Sequence, residues 1–140
     1  MAIANIKVTL LSPIEEVWNK ITNLHDFSWR SDLQNVKSID ENNFVEISKN
    51  GMETHFEVTD FLKYKCWAFK IENENIVGTW VGKFHSHGNK TTLDFTEDIV
   101  SKNFFFKPFI GFYIRKQQRR YFKDLKKELN CEEASFIQKL

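Results

Sequence analysis

The chain has 140 residues, of which 41% are hydrophobic and 28% charged, and its formal net charge is +1. This length predicts one domain, and this composition excludes a disordered chain and a long coiled coil. No apolar run approaches the roughly 18 residues that indicate a membrane span, and residues 1–10 lack the apolar stretch of a signal peptide. Cys66 and Cys131 form no motif, which is typical of a reduced cytoplasmic protein.

The chain opens with a predicted strand that leads into a predicted helix. Apolar side chains take every second position of the strand, at Ile6, Val8 and Leu10. Ser12 is a predicted N-cap, Pro13 suits the first helical position, and Glu15 completes a capping box. The helix is expected over residues 13–23, with an apolar face formed by Ile14, Val17, Trp18 and Ile21. A second short helical turn is expected at residues 26–29.

From residue 36 onward, alternation between turn signals replaces the helical period. Asn50-Gly51 and Gly88-Asn89 suit two-residue hairpin loops, and short loops force neighbouring strands to run antiparallel. Each strand has one apolar and one polar face, which indicates a sheet covered on one side. The predicted apolar faces include Trp67, Phe69, Ile71, Trp80, Gly82, Phe84, Leu93, Phe95, Glu97 and Ile99.

A long amphipathic helix is predicted over residues 108–130, and it would be about 35 Å long at about 1.5 Å per residue. Its apolar arc carries Ile110, Ile114, Gln118, Tyr121, Phe122, Leu125 and Leu129. Its opposite arc carries Arg115, Lys116, Arg119, Arg120, Lys123, Lys126 and Lys127. The helix is expected to cover the apolar face of the sheet, since it is long enough to cross it. Residues 131–140 are expected to form a loosely packed tail to a single domain of residues 1–130.

Four segments of the chain together resemble a known superfamily. They are the opening strand running into Ser12-Pro13-Ile14-Glu15-Glu16-Val17-Trp18, the Trp29 segment, Val58-Thr59-Asp60-Phe61 leading into Cys66-Trp67-Ala68-Phe69-Lys70, and Leu125-Lys126-Lys127-Glu128-Leu129. Their order and spacing are similar to those of the START-like (helix-grip, SRPBCC) superfamily, and within it of the polyketide cyclase/dehydratase-like group. The resemblance implies an α+β fold, in which a seven-stranded antiparallel sheet curves around a long C-terminal helix, with two short helices after the first strand.

For function, the resemblance implies a cavity between sheet and helix that holds a small hydrophobic molecule. Members of the superfamily bind lipids, sterols, polyketides, plant hormones or isoprenoid quinones. Some members cyclise or dehydrate polyketides, and others act as cochaperone or toxin-like modules. The superfamily has no shared catalytic motif, so no catalytic residue is carried over, no cofactor is implied, and the fold alone does not decide the activity.

The apolar strand faces define a candidate ligand site, with solid packing of the same rings as the alternative. Gly82 and Gly111 favour a cavity, because they lack side chains to fill it. Glu97 is a candidate to orient a ligand hydroxyl or to act as acid or base, unless it reaches solvent or an ion-pair partner. Gln118 is either a ligand contact or bonded to the sheet or a water, and residues 26–29 are a candidate gate. The predicted ligand-binding set is Trp29, Trp67, Phe69, Trp80, Phe84, Phe95, Glu97, Ile114, Gln118 and Phe122.

Five phenylalanines lie close together before the last helix, at Phe104, Phe105, Phe106, Phe109 and Phe112. If one straight helix includes them, three of these rings lie on its basic arc and are exposed, as at sites of contact with a membrane, a ligand mouth or another subunit. If the helix begins at Pro108, the rings are expected to pack beneath the first helix. Residues 102–130 carry nine basic and two acidic side chains, a local net charge of +7 that suits an anionic membrane surface.

Metal chemistry and nucleic-acid binding are not predicted. His85 and His87 point the same way on a strand but lack a third ligand, and the basic arc lacks the interleaved aromatics of a nucleic-acid site. The sequence favours a noncatalytic binding protein for a small hydrophobic molecule. The alternatives are a polyketide cyclase/dehydratase-type enzyme that uses Glu97, and a module that docks on a membrane or protein through Phe105, Phe109 and Phe112. The sequence does not distinguish a monomer from a homodimer.

Overall fold

The computed structural model describes residues 2–139. Met1, the first residue of the predicted domain, and Leu140, the last of the predicted tail, lie outside the described residues. The strands are β1 (Ala2–Leu10), β2 (Leu33–Ser38), β3 (Asn43–Ser48), β4 (Glu53–Leu62), β5 (Cys66–Glu72), β6 (Ile76–His87), β7 (Lys90–Ser101) and β8 (Glu133–Lys139). The helices are α1 (Ile14–Thr22), after β1, and α2 (Ile110–Leu129), after β7. The fold class is therefore α+β, as predicted.

The strands of the described chain form one sheet in the order β2-β3-β4-β5-β6-β7-β1-β8. Every neighbouring pair is antiparallel, and from β2 to β7 the short connections between consecutive strands require this. Gly88-Asn89 joins β6 to β7, and Gly88 has a φ of 65°, which glycine adopts without a steric penalty. β1 pairs with β7 on one side and with β8 on the other, so the start of the chain lies inside the sheet.

The long helix α2 packs against β1 and β7. Its buried residues recur every three or four positions, which confirms the predicted apolar arc; they are Ile110, Ile114, Gln118, Phe122 and Leu125. A 3-10 turn, Lys107–Phe109, precedes α2. Asn130 ends the helix with a φ of 49°, a left-handed conformation common after the last helical turn. Within residues 2–139, neither helix combines the length and the apolar composition that crossing a membrane requires.

The sheet has one strand more than the predicted seven, because residues 133–139 form β8 instead of a loose tail. β8 pairs with β1 from Asn5 to Leu10. It thereby covers an edge that would otherwise present unpaired N–H and C=O groups to solvent. Its two large apolar residues, Phe136 and Ile137, are consecutive, so the segment lacks the alternation by which strands are recognised.

One helix, not the predicted two, follows β1, and it begins without the predicted capping box. The N-cap of α1 is Pro13, with no side-chain cap bond, and Ser12 Oγ instead donates to Glu16 Oε2 at 3.1 Å. The Ser12 carbonyl accepts a hydrogen bond from Thr91 Oγ1 at 2.8 Å, which anchors Ser12 to β7. Residues 26–29 form turns rather than a helix, because their backbone hydrogen bonds close single turns and do not continue.

The interior has two parts that differ in how fully they are filled. The part here called the solid region has completely buried side chains from β1, β7, α1 and α2; these are Ile6, Val8, Leu10, Val17, Leu93 and Leu125. The other part, the cavity region, consists of the side chains around the cavity described below. Neither Gly82 nor Gly111 lines that cavity. A Cβ at Gly82 would overlap the Trp80 ring, so the ring fills the space, and the interpretation of Gly82 as a cavity signal is wrong.

The phenylalanines before and at the start of α2 are exposed, with one exception. The exposed fractions are 80% for Phe104, 85% for Phe105, 61% for Phe109 and 62% for Phe112. Phe106 packs inward, with its ring 5.7 Å from that of Tyr113. The alternative in which these rings pack beneath α1 is therefore wrong, although the helical turns do begin near Pro108.

Candidate functional site

A cavity of about 460 Å³ lies between the sheet and α2. Its sheet wall is mainly aromatic and includes Phe44, Phe56, Trp67, Phe69, Trp80 and Phe95. Its helix wall consists of Tyr113, Ile114, Gln117, Gln118, Arg120, Tyr121 and Phe122. The alternative in which the rings of this region pack into a solid core is therefore wrong.

Strand pleating places the rings on one wall. Trp67 and Phe69 occupy alternate positions of β5, and Phe69 pairs with Trp80 of β6. The Phe69 and Trp80 rings stack with centroids 4.7 Å apart and planes 3° apart. Phe44 of β3 and Phe56 of β4 stack in the same way, also with centroids 4.7 Å apart. Cross-strand aromatic pairs of this kind stabilise the sheet and present flat apolar surface to the cavity.

The predicted ligand-binding side chains line the cavity with one exception. Those on its wall are Trp29, Trp67, Phe69, Trp80, Phe95, Glu97, Ile114, Gln118 and Phe122. Phe84 lies outside the wall, contrary to its predicted position, and its ring is 4.7 Å from Trp18 of α1. The reason is that α1 covers that end of β6 and encloses Phe84 in packed side chains. That the lining residues contact a ligand stays a prediction.

Five charged side chains on the cavity wall were not predicted. Lys49 and Arg120 are exposed, whereas Arg30, Asp32 and Glu46 form a cluster. Arg30 Nη2 donates to Asp32 Oδ2 at 3.0 Å, and Arg30 Nη1 donates to Glu46 Oε2 at 3.3 Å. The guanidinium also lies over the Tyr121 ring, 4.9 Å from its centroid. Glu46 was the available signal in the sequence, because it alternates with Phe44 on β3 and therefore shares its inward face.

Burial and mutual attraction decide the ionisation of this charged cluster. Burial disfavours the Arg30 charge, but the attraction of Glu46 and Asp32 outweighs burial and raises the pKa of Arg30. Burial raises the pKa of Glu46 despite the attraction of Arg30. Burial also favours a higher pKa for Asp32, but the charge and hydrogen bond of Arg30 outweigh this effect and hold the Asp32 pKa below its usual value. One cation thus faces two carboxyl groups and offers no spare positive charge to a ligand.

Glu97 lies on β7 opposite Trp80 of β6 and lines the cavity. It is half-buried, because it faces the cavity rather than a packed core. Burial raises the pKa of Glu97 to about 7, while the neighbouring Gln118 amide and the charge of Arg30 limit the rise and the charge of Glu46 adds to it. Among the described residues Glu97 forms no ion pair. The carboxyl group can therefore exchange a proton near neutral pH.

Gln118 connects α2 to the sheet. Its Nε2 donates to the Ala4 carbonyl of β1 at 3.2 Å, and its Oε1 accepts from Gln138 Nε2 of β8 at 3.1 Å. This is the structural role that the sequence offered as one alternative. Because Gln118 also lines the cavity, a ligand contact is compatible with its position.

Residues 26–29 lie at the cavity, where Asp26, Phe27 and Trp29 contribute to its wall. Trp29 Nε1 donates to the Asp26 carbonyl at 3.0 Å. Lys20 Nζ donates to Asp26 Oδ2 at 2.7 Å and to Glu128 Oε2 at 2.9 Å, which connects this segment to α1 and α2. The predicted role of the segment as a gate stays a prediction.

Solved structures with similar folds were found for the whole chain. A conserved protein from Geobacillus kaustophilus has a TM-score of 0.83 at 17% identity, with 99% of this chain and 99% of that chain covered. A START superfamily protein from Mycobacterium smegmatis has a TM-score of 0.82 at 9% identity, with 93% and 98% covered. The Zhui aromatase/cyclase from Streptomyces sp. R1128 has a TM-score of 0.81 at 10% identity, with 91% and 93% covered.

These similarities confirm that the chain has the START-like helix-grip fold. At such low identities they show the fold alone, since one fold hosts many functions. No protein-family model and no curated protein matches the sequence. The fold therefore defines the class of protein, and its activity has to be argued from the cavity.

Proposed function

We propose that the protein binds a small hydrophobic molecule in the cavity between the sheet and α2. The observation that carries this proposal is the cavity of about 460 Å³ walled by stacked aromatic rings. Protein interiors normally pack without voids of this size, and ligand pockets range from about 300 to about 1,000 Å³. A lipid, a polyketide or an isoprenoid-like molecule is the class of ligand that fits such a wall.

Contact with the rings alone supports a moderate affinity. A ligand that buries about 300 Å² of apolar surface gains about 7 kcal/mol at about 25 cal/mol per Å². The loss of translational and rotational freedom removes part of this gain. We therefore expect dissociation constants in the micromolar range for ligands held mainly by the aromatic wall.

The charged cluster favours an uncharged polar group on the ligand. Arg30 is already paired with Asp32 and Glu46, and Glu97 adds a further carboxyl group to the wall. The two other basic side chains of the wall, Lys49 and Arg120, are exposed. A ligand carboxylate held beside Glu97 would therefore meet these acids at a high electrostatic cost. A hydroxyl group can instead donate a hydrogen bond to the Glu97 carboxylate or accept one from its protonated form.

Retinol and retinoic acid test this proposal, because they share one isoprenoid skeleton and differ in the polar group. We expect retinol to bind with micromolar affinity, measured by its fluorescence, and retinoic acid to bind more weakly. Glu97→Gln removes one acid at constant size and should reduce the difference in affinity between retinol and retinoic acid. His85→Gln, on the exposed face of β6, should leave that difference unchanged. Binding of neither compound, together with no copurifying small molecule in native mass spectrometry, would contradict the proposal.

A second candidate function is polyketide cyclisation or dehydration with Glu97 as acid or base. The observation that favours it is the pKa of about 7 of a carboxyl group that faces the cavity, since an acid–base catalyst works best with a pKa near the working pH. One similar structure is described as an aromatase/cyclase. Under this hypothesis Glu97→Gln abolishes turnover of a poly-β-ketone substrate while binding of that substrate persists. Turnover by the variant at the wild-type rate would exclude Glu97 as the catalyst.

A further inference from the structure

Four phenylalanine rings form an exposed apolar surface at the start of α2, here called the Phe surface: Phe104, Phe105, Phe109 and Phe112. None of them lines the cavity, so the proposed ligand binding does not account for them. Contact between water and neighbouring exposed rings is unfavourable, and patches of this kind mark sites of interaction.

Hydrogen bonds hold the turn that presents these rings. Ser101 Oγ donates to the Asn103 carbonyl at 2.9 Å, and Asn103 Oδ1 accepts from the Phe105 N–H at 2.9 Å. Phe106 anchors the same turn by packing inward on Tyr113. The Phe surface is therefore built on a fixed turn and the first turns of a helix, and its rings are presented together.

Exposed basic side chains surround the Phe surface. Lys107 lies between the rings in sequence, and Lys116 follows Phe112 by four positions and so lies on the same side of α2. Arg119 and Lys123 continue this exposed arc. Within residues 2–139, neither Lys107 nor Lys116 forms an ion pair, so their charges are free to meet an anionic partner.

We propose that the Phe surface docks on an anionic lipid bilayer. Aromatic rings insert at the boundary between headgroups and acyl chains, and neighbouring Lys and Arg side chains pair with anionic headgroups. The positive charge favours a bilayer over an apolar groove of a protein. An apolar groove would require only the rings and would leave the charges of Lys107 and Lys116 without a partner. The proposal does not depend on ligand binding in the cavity.

The Phe surface also lies next to the cavity. Tyr113 lines the cavity and contacts Phe106, which lies between the exposed rings in sequence. Docking through the Phe surface would therefore bring the end of the cavity near Tyr113 and Gln117 towards the bilayer. An apolar ligand would then have a short path between membrane and cavity.

Sedimentation with vesicles tests the docking proposal on the full chain. We expect binding to an equimolar mixture of phosphatidylserine and phosphatidylcholine, weaker binding at higher salt, and little binding to phosphatidylcholine alone. Phe104→Ser/Phe105→Ser and, separately, Lys107→Glu/Lys116→Glu should each weaken vesicle binding by at least about tenfold. Phe105→Trp should show a blue shift of its fluorescence when anionic vesicles are added.

Phe61→Ser is the matched control, because Phe61 is also an exposed phenylalanine, 54% exposed. Phe61 pairs with Trp67 of β5, which pairs with Gly82 in the middle of β6. The Phe surface instead follows Ser101, which pairs with Ile76 at the start of β6, so Phe61 lies on a different part of the sheet. We expect this variant to bind vesicles like the wild type. Absence of binding to anionic vesicles, or equal binding by Phe104→Ser/Phe105→Ser, would overturn the proposal. So would a wild-type dimer in analytical ultracentrifugation that this double variant abolishes, because the rings would then serve self-association.

Discussion

The solid region and the cavity region share the strand β7 and the helix α2, yet only the solid region is completely filled. Leu93 and Leu125 of the solid region have no exposed surface, while the larger Trp67, Phe69 and Trp80 of the cavity region remain 6% to 9% exposed. The difference follows from the covering elements, because α2 packs on β1 and β7 and α1 packs on β6 and β7. Large rings do not by themselves fill an interior; which strands the helices pack on also matters.

The largest expected effect compares two leucines on strands. Leu93→Ala removes a completely buried side chain from the solid region and should lower the free energy of unfolding by about 4 kcal/mol. Leu33→Ala removes a side chain that lines the cavity and therefore has neighbours on fewer sides, so about 2 kcal/mol is expected. Urea denaturation measures both values. Equal losses would mean that the cavity region is packed as tightly as the solid region.

Breaking the charged cluster should have the next largest effect. Arg30→Met leaves Asp32 and Glu46 buried without their cation and should cost about 3 kcal/mol of stability near neutral pH. The double variant Arg30→Met/Glu46→Leu should recover part of this loss of stability, because it also removes one of the two carboxyl groups that no longer have a cation. The measurement is again urea denaturation. A fully stable single variant would show that the two carboxyl groups reach water and that the cavity region is more open than described.

Glu97 should make the stability of the cavity region depend on pH. Its pKa of about 7 in the folded state lies above its ordinary value of 4.5, so folding favours the protonated form. The contribution of protonated Glu97 to the free energy of unfolding is fully present below pH 4.5 and is lost as the pH rises through about 7. Between these two pH values the free energy of unfolding of the wild type should fall by on the order of 2 kcal/mol more than that of Glu97→Gln. Unfolding curves of both proteins across this range provide the test, and parallel pH dependences would contradict it.

The smallest effect is expected at the ion pairs beside the cavity. Lys20 connects Asp26 and Glu128, but all three side chains are partly exposed, so Lys20→Gln should cost only about 0.5 kcal/mol. Amide hydrogen exchange should nevertheless become faster in residues 26–29, because the variant releases this segment from α1 and α2. Unchanged exchange would show that other contacts hold this part of the cavity region.

Much of the cavity wall could be predicted from the sequence, and the exceptions have physical causes. Strand alternation indicated the rings of β5 to β7, and the helical period indicated Ile114 and Phe122. Phe84 obeys the same alternation but lies where α1 covers the sheet, and alternation does not encode the position of α1. The ion pair between Arg30 and Glu46 joins a turn to β3 across 16 positions, so no local pattern revealed it.

The sequence by itself determined the inward faces of β1, β5, β6, β7 and α2, because the side-chain periods of strands and helices depend on neighbouring residues alone. Only the tertiary structure decided that β8 joins β1, that the inward rings leave a cavity, and that the rings of the Phe surface remain exposed. These features depend on distances between elements that are far apart in the chain. Local periodicity carries no information about those distances, since it fixes a direction for each side chain but not what lies opposite.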